Sequence, residues 1–407
     1  MGSKVRGDGV EALNIGDVLR ARREALQLTI TAAAQRAAVP RPYLSMIESG
    51  RRSPSAEVLL RISRGLDMTS DMWLRTWIRA EPRCEQLLDV GRELFVEGDC
   101  AGARLALSRA LIVSRRSGDA RLLSDVHDVL GRLHFSQGRY ARALSCFERR
   151  ERWARRTSDP LTLGVATYNL GLTLGQIDRD VEAVRKLDES IRLFGEQHMR
   201  AELGRAWLAR ANRLLAMRMY PQADESYRHA AYLLRGKPFH PHAVLGVATA
   251  TLVLRGPDAA IPMFQSILRL KAPDQTVTAQ TLGYTAVALR WLGRYDDAFQ
   301  QLERALDNRA QLPRGIVAAL LAEAALCQTF KGEFDRARSM LEEYRRMGDD
   351  TDSSDIAVMS IVAEILGVER SAAPIPPNVR DGHERRLTAA LQLLRDLPTP
   401  LESYGEA

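Results

Sequence analysis

Residues 41–52 read RPYLSMIESGRR, a stretch dense in side chains that bind without reacting. A guanidinium such as Arg41 donates two parallel hydrogen bonds and suits a planar pair of acceptors. Ser45 gives and accepts hydrogen bonds, while Tyr43 and Met46 offer apolar surface. Arg51 and Arg52 are adjacent cations fit for an anion. A second polar set is spread further along: Asn169, Arg205, Asn212, His242, Gln280 and Tyr284. An asparagine amide donates and accepts at once, so Asn169 and Asn212 suit the backbone of an extended peptide. The alternative for both is a solvated side chain or a bond within the protein, since most side-chain hydrogen bonds go to backbone or water.

Reactive chemistry has no comparable foothold. No nucleophile–base pair can be argued from spacing, and neither G-x-x-x-x-G-K-[ST] nor H-E-x-x-H occurs. Gly7-Asp8-Gly9 opens a G-x-G-x-x-A match with no strand before it. His240-Pro241-His242 has too few neighbouring ligands for a metal and reads as a surface loop. The acidic run Asp349–Asp355 lacks EF-hand spacing. Cys84, Cys100, Cys146 and Cys327 are scattered, which argues for a reducing cytoplasm and against disulfides or a zinc knuckle. The expectation is a cytoplasmic non-enzyme with no cofactor and no metal. No apolar run is long enough to span a membrane, and the first residues, MGSKVRGDGVEAL, do not form a secretory signal.

The elements that must position these residues are helices. Apolar residues recur at i, i+3, i+4 and i+7 nearly throughout the 407 residues, and period-2 runs are absent. Prolines and glycines fall at helix starts and connections. Pro262 sits where a helix is expected to begin, which predicts a late start there. Charge divides the chain as well. The net charge is +7, and residues 1–80 carry 13 Lys/Arg against 8 Asp/Glu, leaving the remainder almost balanced. A small basic head on a near-neutral body suggests a polyanion partner.

Within the head, Thr29 suits the cap of a short helix whose buried face is Ala33, Ala34 and Ala37. The next helix, about 41–49, turns Leu44 and Ile47 inward. That leaves Arg41, Pro42, Tyr43, Ser45 and Met46 outside, and Gly50 fits a left-handed stop. Residues 15–66, with Leu19, Arg20, Arg23, Leu28, Thr29, Ala34, Val39, Leu44, Ile47, Glu48, Gly50, Arg52 and Pro54, resemble the lambda-repressor-like (Cro/C1, XRE) helix-turn-helix family. The resemblance implies a five-helix domain whose 41–49 face enters the major groove of double-stranded DNA. Arg41 then suits O6 and N7 of guanine, Ser45 any base, and Tyr43 and Met46 a thymine methyl. Thr29, Arg51 and Arg52 would hold phosphates. Where that family usually has glutamine after the second helix's cap, this chain has Ile30, which removes one phosphate or base contact.

From residue 84 to about 350 the chain repeats. Ala103, Ala143, Ala183, Ala223, Ala260, Ala298 and Ala337 close similar segments at intervals of 40, 40, 40, 37, 38 and 39. Twelve residues before each stands Gly91, Gly131, Gly171, Ala211, Ala248, Ala286 or Ala325. Four residues after each stands Leu107, Phe147, Leu187, Tyr227, Phe264, Leu302 or Leu341. Small, small, large at that spacing is how two antiparallel helices cross closely. The pattern resembles the tetratricopeptide repeat, with longer helices or loops than the usual period of about 34. In such arrays the first helix of each pair lines the concave surface, which carries the second polar set above. The basic stretch ERRERWARR (Glu148 to Arg156) lies on a second helix and reads as solvated charge on the convex face, with DNA or partner contact as the alternative.

The sequence therefore reads as all-α: a flexible tail (1–14), a helix-turn-helix domain with linker helix (15–80), about seven repeats forming a TPR-like α-solenoid (84–350), and capping or dimerising helices after a Pro-rich linker (351–407). Trp73 and Trp77 are placed to pack the head against the body or against a second subunit. This domain order resembles the peptide-responsive Rgg/PlcR-type regulators. That resemblance implies a transcriptional regulator, a homodimer, and a peptide or small-molecule effector of the quorum-sensing kind. The rival reading is a protein-interaction adaptor with a secondary DNA-binding head.

Overall fold

The computed structural model describes residues 14–79, 82–270 and 274–347. The expected tail, the acidic run, the Pro-rich linker and the C-terminal helices lie outside the described residues, apart from Asn14. Among the described residues the regular elements are nineteen α-helices and one short 3-10 turn, Arg309–Gln311.

Five helices make the head: α1 (Ile15–Ala25), α2 (Ile30–Arg36), α3 (Arg41–Glu48), α4 (Ala56–Gly65) and α5 (Ser70–Arg79). Their starts are written in the sequence. Asn14 and Asp17 form a reciprocal capping box at α1. Thr29 Oγ1 accepts from the Ala32 amide at 3.1 Å, and Ser55 Oγ from the Val58 amide at 3.3 Å. Pro40 precedes α3, and Pro42 occupies its first turn.

Seven hairpins follow. α6 (Cys84–Val96) pairs with α7 (Cys100–Ser117), α8 (Ala120–Ser136) with α9 (Tyr140–Thr157), and α10 (Pro160–Gly175) with α11 (Asp180–Glu196). Then α12 (Arg200–Ala216) pairs with α13 (Tyr220–Leu233), α14 (His240–Arg255) with α15 (Pro257–Leu268), α16 (Gln275–Trp291) with α17 (Tyr295–Leu306), and α18 (Arg314–Lys331) with α19 (Phe334–Arg346). The long period is spent on helix length: α8 and α9 have 17 and 18 residues. The chain divides into two units, residues 1–197 and 198–407.

The repeat signature is a packing rule. All seven closing alanines are fully buried. A Cβ added to Gly91 would stand 2.7 Å from Leu107, one on Gly131 2.5 Å from the Phe147 ring, and one on Gly171 2.6 Å from Leu187. Each glycine thus makes room for the large residue of its own hairpin, whose burial contributes roughly 1.5–3 kcal/mol.

Two expectations are corrected. α15 begins at Pro257, not after Pro262, which lies inside it. Pro262 forfeits one backbone bond, but Pro257 has already set the first turn, and burial of Ala260, Phe264 and Ile267 keeps the segment helical. His240-Pro241-His242 is not a loop: it opens α14, because proline is tolerated in a first turn.

In the first unit the apolar core runs unbroken from Ile15 to Leu133. Trp73 and Trp77, edge to face with centroids 6.1 Å apart, are buried in it. α5 packs on both α1 and α7. Arg64 of α4 pairs with Glu93 and Glu97 at the end of α6. The head and the first hairpins therefore share one core.

Candidate nucleic-acid interface

α3 is held by its inner face. Leu44 and Ile47 are buried, and Gly16 of α1 lies so close that an added Cβ would collide with the Ile47 carbonyl. Glu48 follows Leu44 and Ile47 on the same inward stripe and is buried too. Its carboxylate accepts from Arg23 Nε at 2.8 Å and from Arg23 Nη2 at 2.9 Å, while Arg23 Nη1 donates to the Leu28 carbonyl at 3.1 Å. The hydrogen bonds with Glu48 hold the Arg23 guanidinium above its ordinary pKa, against the opposing effect of burial. This fork ties α1, the turn after it and α3 together. Arg22 makes a second tie, donating to the Leu66 and Asp67 carbonyls beyond α4.

The outer face of α3 is open. Arg41, Pro42 and Ser45 are exposed, and Tyr43 and Met46 are half-buried. Gly50 takes φ +69°, in the left-handed region, and the Arg51 and Arg52 amides both reach back to the Met46 carbonyl, at 2.9 and 3.2 Å. The turn leaves both arginines exposed just past the helix. The Arg52 guanidinium sits 4.8 Å from the Tyr43 ring centroid, a cation–π contact that limits its wandering. Thr29 is exposed, with its hydroxyl oxygen occupied by the cap of α2. Thr29 thus caps the start of α2, Arg41, Tyr43, Ser45 and Met46 lie along α3, and Arg51 and Arg52 follow its end, all on one braced frame.

Sequence reasoning named Arg23 and Glu48 only as motif matches and missed their pairing. The signal was present: a glutamate at i, i+3, i+4 register with Leu44 and Ile47 must be buried, and a buried carboxylate needs a partner.

The second polar set is more committed. In the first unit Asn169 Nδ2 donates to Asp128 Oδ1 at 3.2 Å, the oxygen that also accepts from Arg150 at 2.6 Å. In the second unit Asn212 accepts from the Tyr227 hydroxyl at 2.7 Å. Half of each amide is therefore engaged between helices. Arg205 pairs with Glu202 at 3.1 Å. His242 lies 3.8 Å from Asp274 and against Phe239. Tyr284 stacks on Phe264 at 6.3 Å, one turn from half-buried Gln280 on α16. Among the described residues no cluster suited to a metal ion occurs, and no helix is long and apolar enough to cross a membrane.

Residues 14–72 match a model described as a helix-turn-helix domain, and residues 277–349 one described as a tetratricopeptide repeat. The chain carries both a helix-turn-helix domain and tetratricopeptide repeats. Over 75 residues it is 34% identical to two uncharacterized HTH-type transcriptional regulators of Mycobacterium tuberculosis, from strains CDC 1551 / Oshkosh and ATCC 25618 / H37Rv. The match takes in 18% of this chain and 54% of each relative, so the chain spans about half the length of the curated relatives it matches. Among solved structures, the apo form of RapI aligns with a TM-score of 0.57 at 12% identity, over 65% of this chain and 98% of that one. The Rap conjugation gene regulator of plasmid pLS20, in complex with the Phr* peptide, gives 0.50 at 14% identity, over 94% and 96%. NprR in complex with its cognate peptide NprX gives 0.50 at 15% identity, over 76% and 87%. At these identities the likeness is one of fold.

Proposed function

We propose that this chain is a sequence-specific DNA-binding transcriptional regulator whose repeats sense a peptide or other small effector. The observation that carries the reading is the asymmetry of α3. Its inner face is locked by the Arg23–Glu48 fork and the Gly16 contact, while its outer face presents Arg41, Tyr43, Ser45 and Met46 with Arg51 and Arg52 behind them. Such a helix fits the major groove with its side chains in fixed register. Arg41 reads guanine, Ser45, Tyr43 and Met46 complete the readout, and Thr29, Arg51 and Arg52 hold phosphates.

The effector half of the proposal rests on the repeats. Peptide complexes of Rap and NprR, whose folds the array resembles, support a peptide as the class. Within the first unit Asn169 is a proposed contact, and within the second Arg205, Asn212, His242, Gln280 and Tyr284 are, each unit taken by itself. Asn169 must exchange its bond to Asp128 to grip a backbone with both halves of its amide, and Asn212 must do the same with Tyr227. That exchange gives an effector different contacts in two states, which is what a switch requires. The core shared by the head and the first hairpins supports transmission to α3. A homodimer in the cytoplasm, reading two half-sites, completes the proposal.

The test is selection of duplexes from a random pool by the full-length protein. A regulator enriches one motif, and an Arg41→Ala, Ser45→Ala variant enriches a different motif or none. A pool that stays unenriched with wild-type protein contradicts the reading and favours the adaptor. Mass spectrometry of purified protein for a retained peptide tests the effector half separately.

A further inference from the structure

α9 carries two kinds of arginine. Arg150 turns to Asp128, and Arg155 to Glu151 and Glu189. Arg149, Arg152 and Arg156 lie with Trp153 at i, i+3, i+4 and i+7, so they form a separate stripe of the helix. Among the described residues no carboxylate pairs with any of these three, nor with Arg115 near the end of α7. The stripe borders a concavity of about 280 Å³ whose walls are Arg115, Arg149, Arg152, Trp153 and Arg156, with Leu123 and His127 of α8 beneath.

The concavity is built rather than incidental. His127 is 2% exposed, and its Nδ1 has no hydrogen-bond partner among the described residues. Burial first, then the charges of Arg149, Arg115 and Arg152, push its pKa down to about 4, so the ring is neutral at pH 7. The Arg156 guanidinium lies 4.6 Å from the Trp153 ring centroid, held over the indole. Four cations lining one concavity without a paired carboxylate repel one another. A low-dielectric floor beneath them strengthens the field they exert on an anion. Guanidinium forks match the paired oxygens of a phosphoryl group. The volume, about 280 Å³, falls just below the usual range of roughly 300–1,000 Å³ for small-ligand sites. It suits one or two phosphoryl groups with a small organic remainder, and it is too small for a folded peptide.

We infer that the α7–α8–α9 concavity binds a phosphorylated small molecule through Arg115, Arg149, Arg152 and Arg156, with Trp153 as a wall and His127 in the floor. The site is separate from α3 and stands or falls independently of the regulator reading. It also gives the basic stretch of α9 a role other than solvated charge.

The experiment is calorimetric titration of the full-length protein with pyrophosphate at constant ionic strength, repeated with an Arg149→Gln, Arg152→Gln double variant. Both residues are exposed, so the variant keeps the fold, and an unchanged or raised Tm without ligand confirms it. Wild type is expected to bind pyrophosphate, and the double variant to bind at least tenfold more weakly. Binding should also shift the His127 ring signal in NMR spectra. Equal affinity in the two proteins, or no binding by wild type, overturns the proposal. A second arm separates the source of the phosphate. If the double variant binds pyrophosphate like wild type but loses affinity for unrelated duplex DNA, the stripe is a DNA-backbone contact and the small-molecule site is wrong.

Discussion

Two arginines in the first unit, half-buried Arg23 and buried Arg150, show how differently the head and the repeats use polar groups. Arg23 meets Glu48 through a two-pronged fork and spends a third donor on the Leu28 carbonyl. Its hydrogen bonds outweigh burial, and its pKa is raised. Arg150 reaches Asp128 with one nitrogen, while its Nε is buried without a partner among the described residues. Burial outweighs the neighbouring carboxylates there, and its pKa is lowered. The head is clamped by a fully satisfied pair so that the outer face of α3 stays rigid and available. In the repeats the pair is looser and shares its carboxylate with Asn169, an arrangement suited to rearrangement.

Several measurements can break or sharpen this contrast. The largest effect is expected from Arg23→Ala. It leaves Glu48 buried and alone, and should cost roughly 3–5 kcal/mol in urea denaturation. A loss under about 1 kcal/mol would mean that the fork is not what braces α3. Acid should expose His127 next. Its folded pKa, about 4, lies below the ordinary value of 6.5, so between those values the unfolded chain takes up a proton that the folded chain refuses. Stability from this group is full above pH 6.5 and falls as pH drops to 4, by an amount on the order of 3 kcal/mol. His127→Leu should flatten that part of the stability profile, and an unchanged slope would contradict the burial argument.

Gly131→Ala tests the repeat packing. The gain in helix propensity is about 1 kcal/mol, but the new methyl would press on the buried Phe147 ring at 2.5 Å. A net loss of about 1–2 kcal/mol is expected by thermal melt. A stabilised variant would show that hairpin spacing is not set by the glycine. Smallest of all should be Arg150→Met. Asp128 keeps Asn169 as a partner, and the methionine fills apolar space, so the expected change is within about 1 kcal/mol. A loss as large as that of Arg23→Ala would erase the distinction between the two regions.

Much of this architecture was legible in the sequence because it rests on local or periodic rules. Thr29, Gly50, Leu44 and Ile47 declare α2 and α3 within a few residues of one another. The seven small–small–large triads declare the hairpins, since close crossing demands small residues at fixed intervals. What escaped was long-range and polar. Asp128 serves both Arg150 and Asn169 across 22 and 41 residues, and no periodicity announces such a junction. Pro262 misled because proline rules are local, whereas the apolar face of α15 is set by tertiary packing. The sequence places the basic stretch on a second helix, but no periodicity announces that Arg115 of α7 and Leu123 and His127 of α8 border the same concavity.

The central claim is that the outer edge of α3 reads base pairs. Fluorescence anisotropy of the full-length protein on a selected duplex and on a scrambled duplex, for wild type and Arg41→Ala over a range of salt, tests it most directly. The account predicts a loss of about 1–3 kcal/mol, roughly five- to 150-fold, on the selected duplex alone, with the salt slope and the scrambled duplex unchanged. Equal weakening on both duplexes, or none on either, would contradict it.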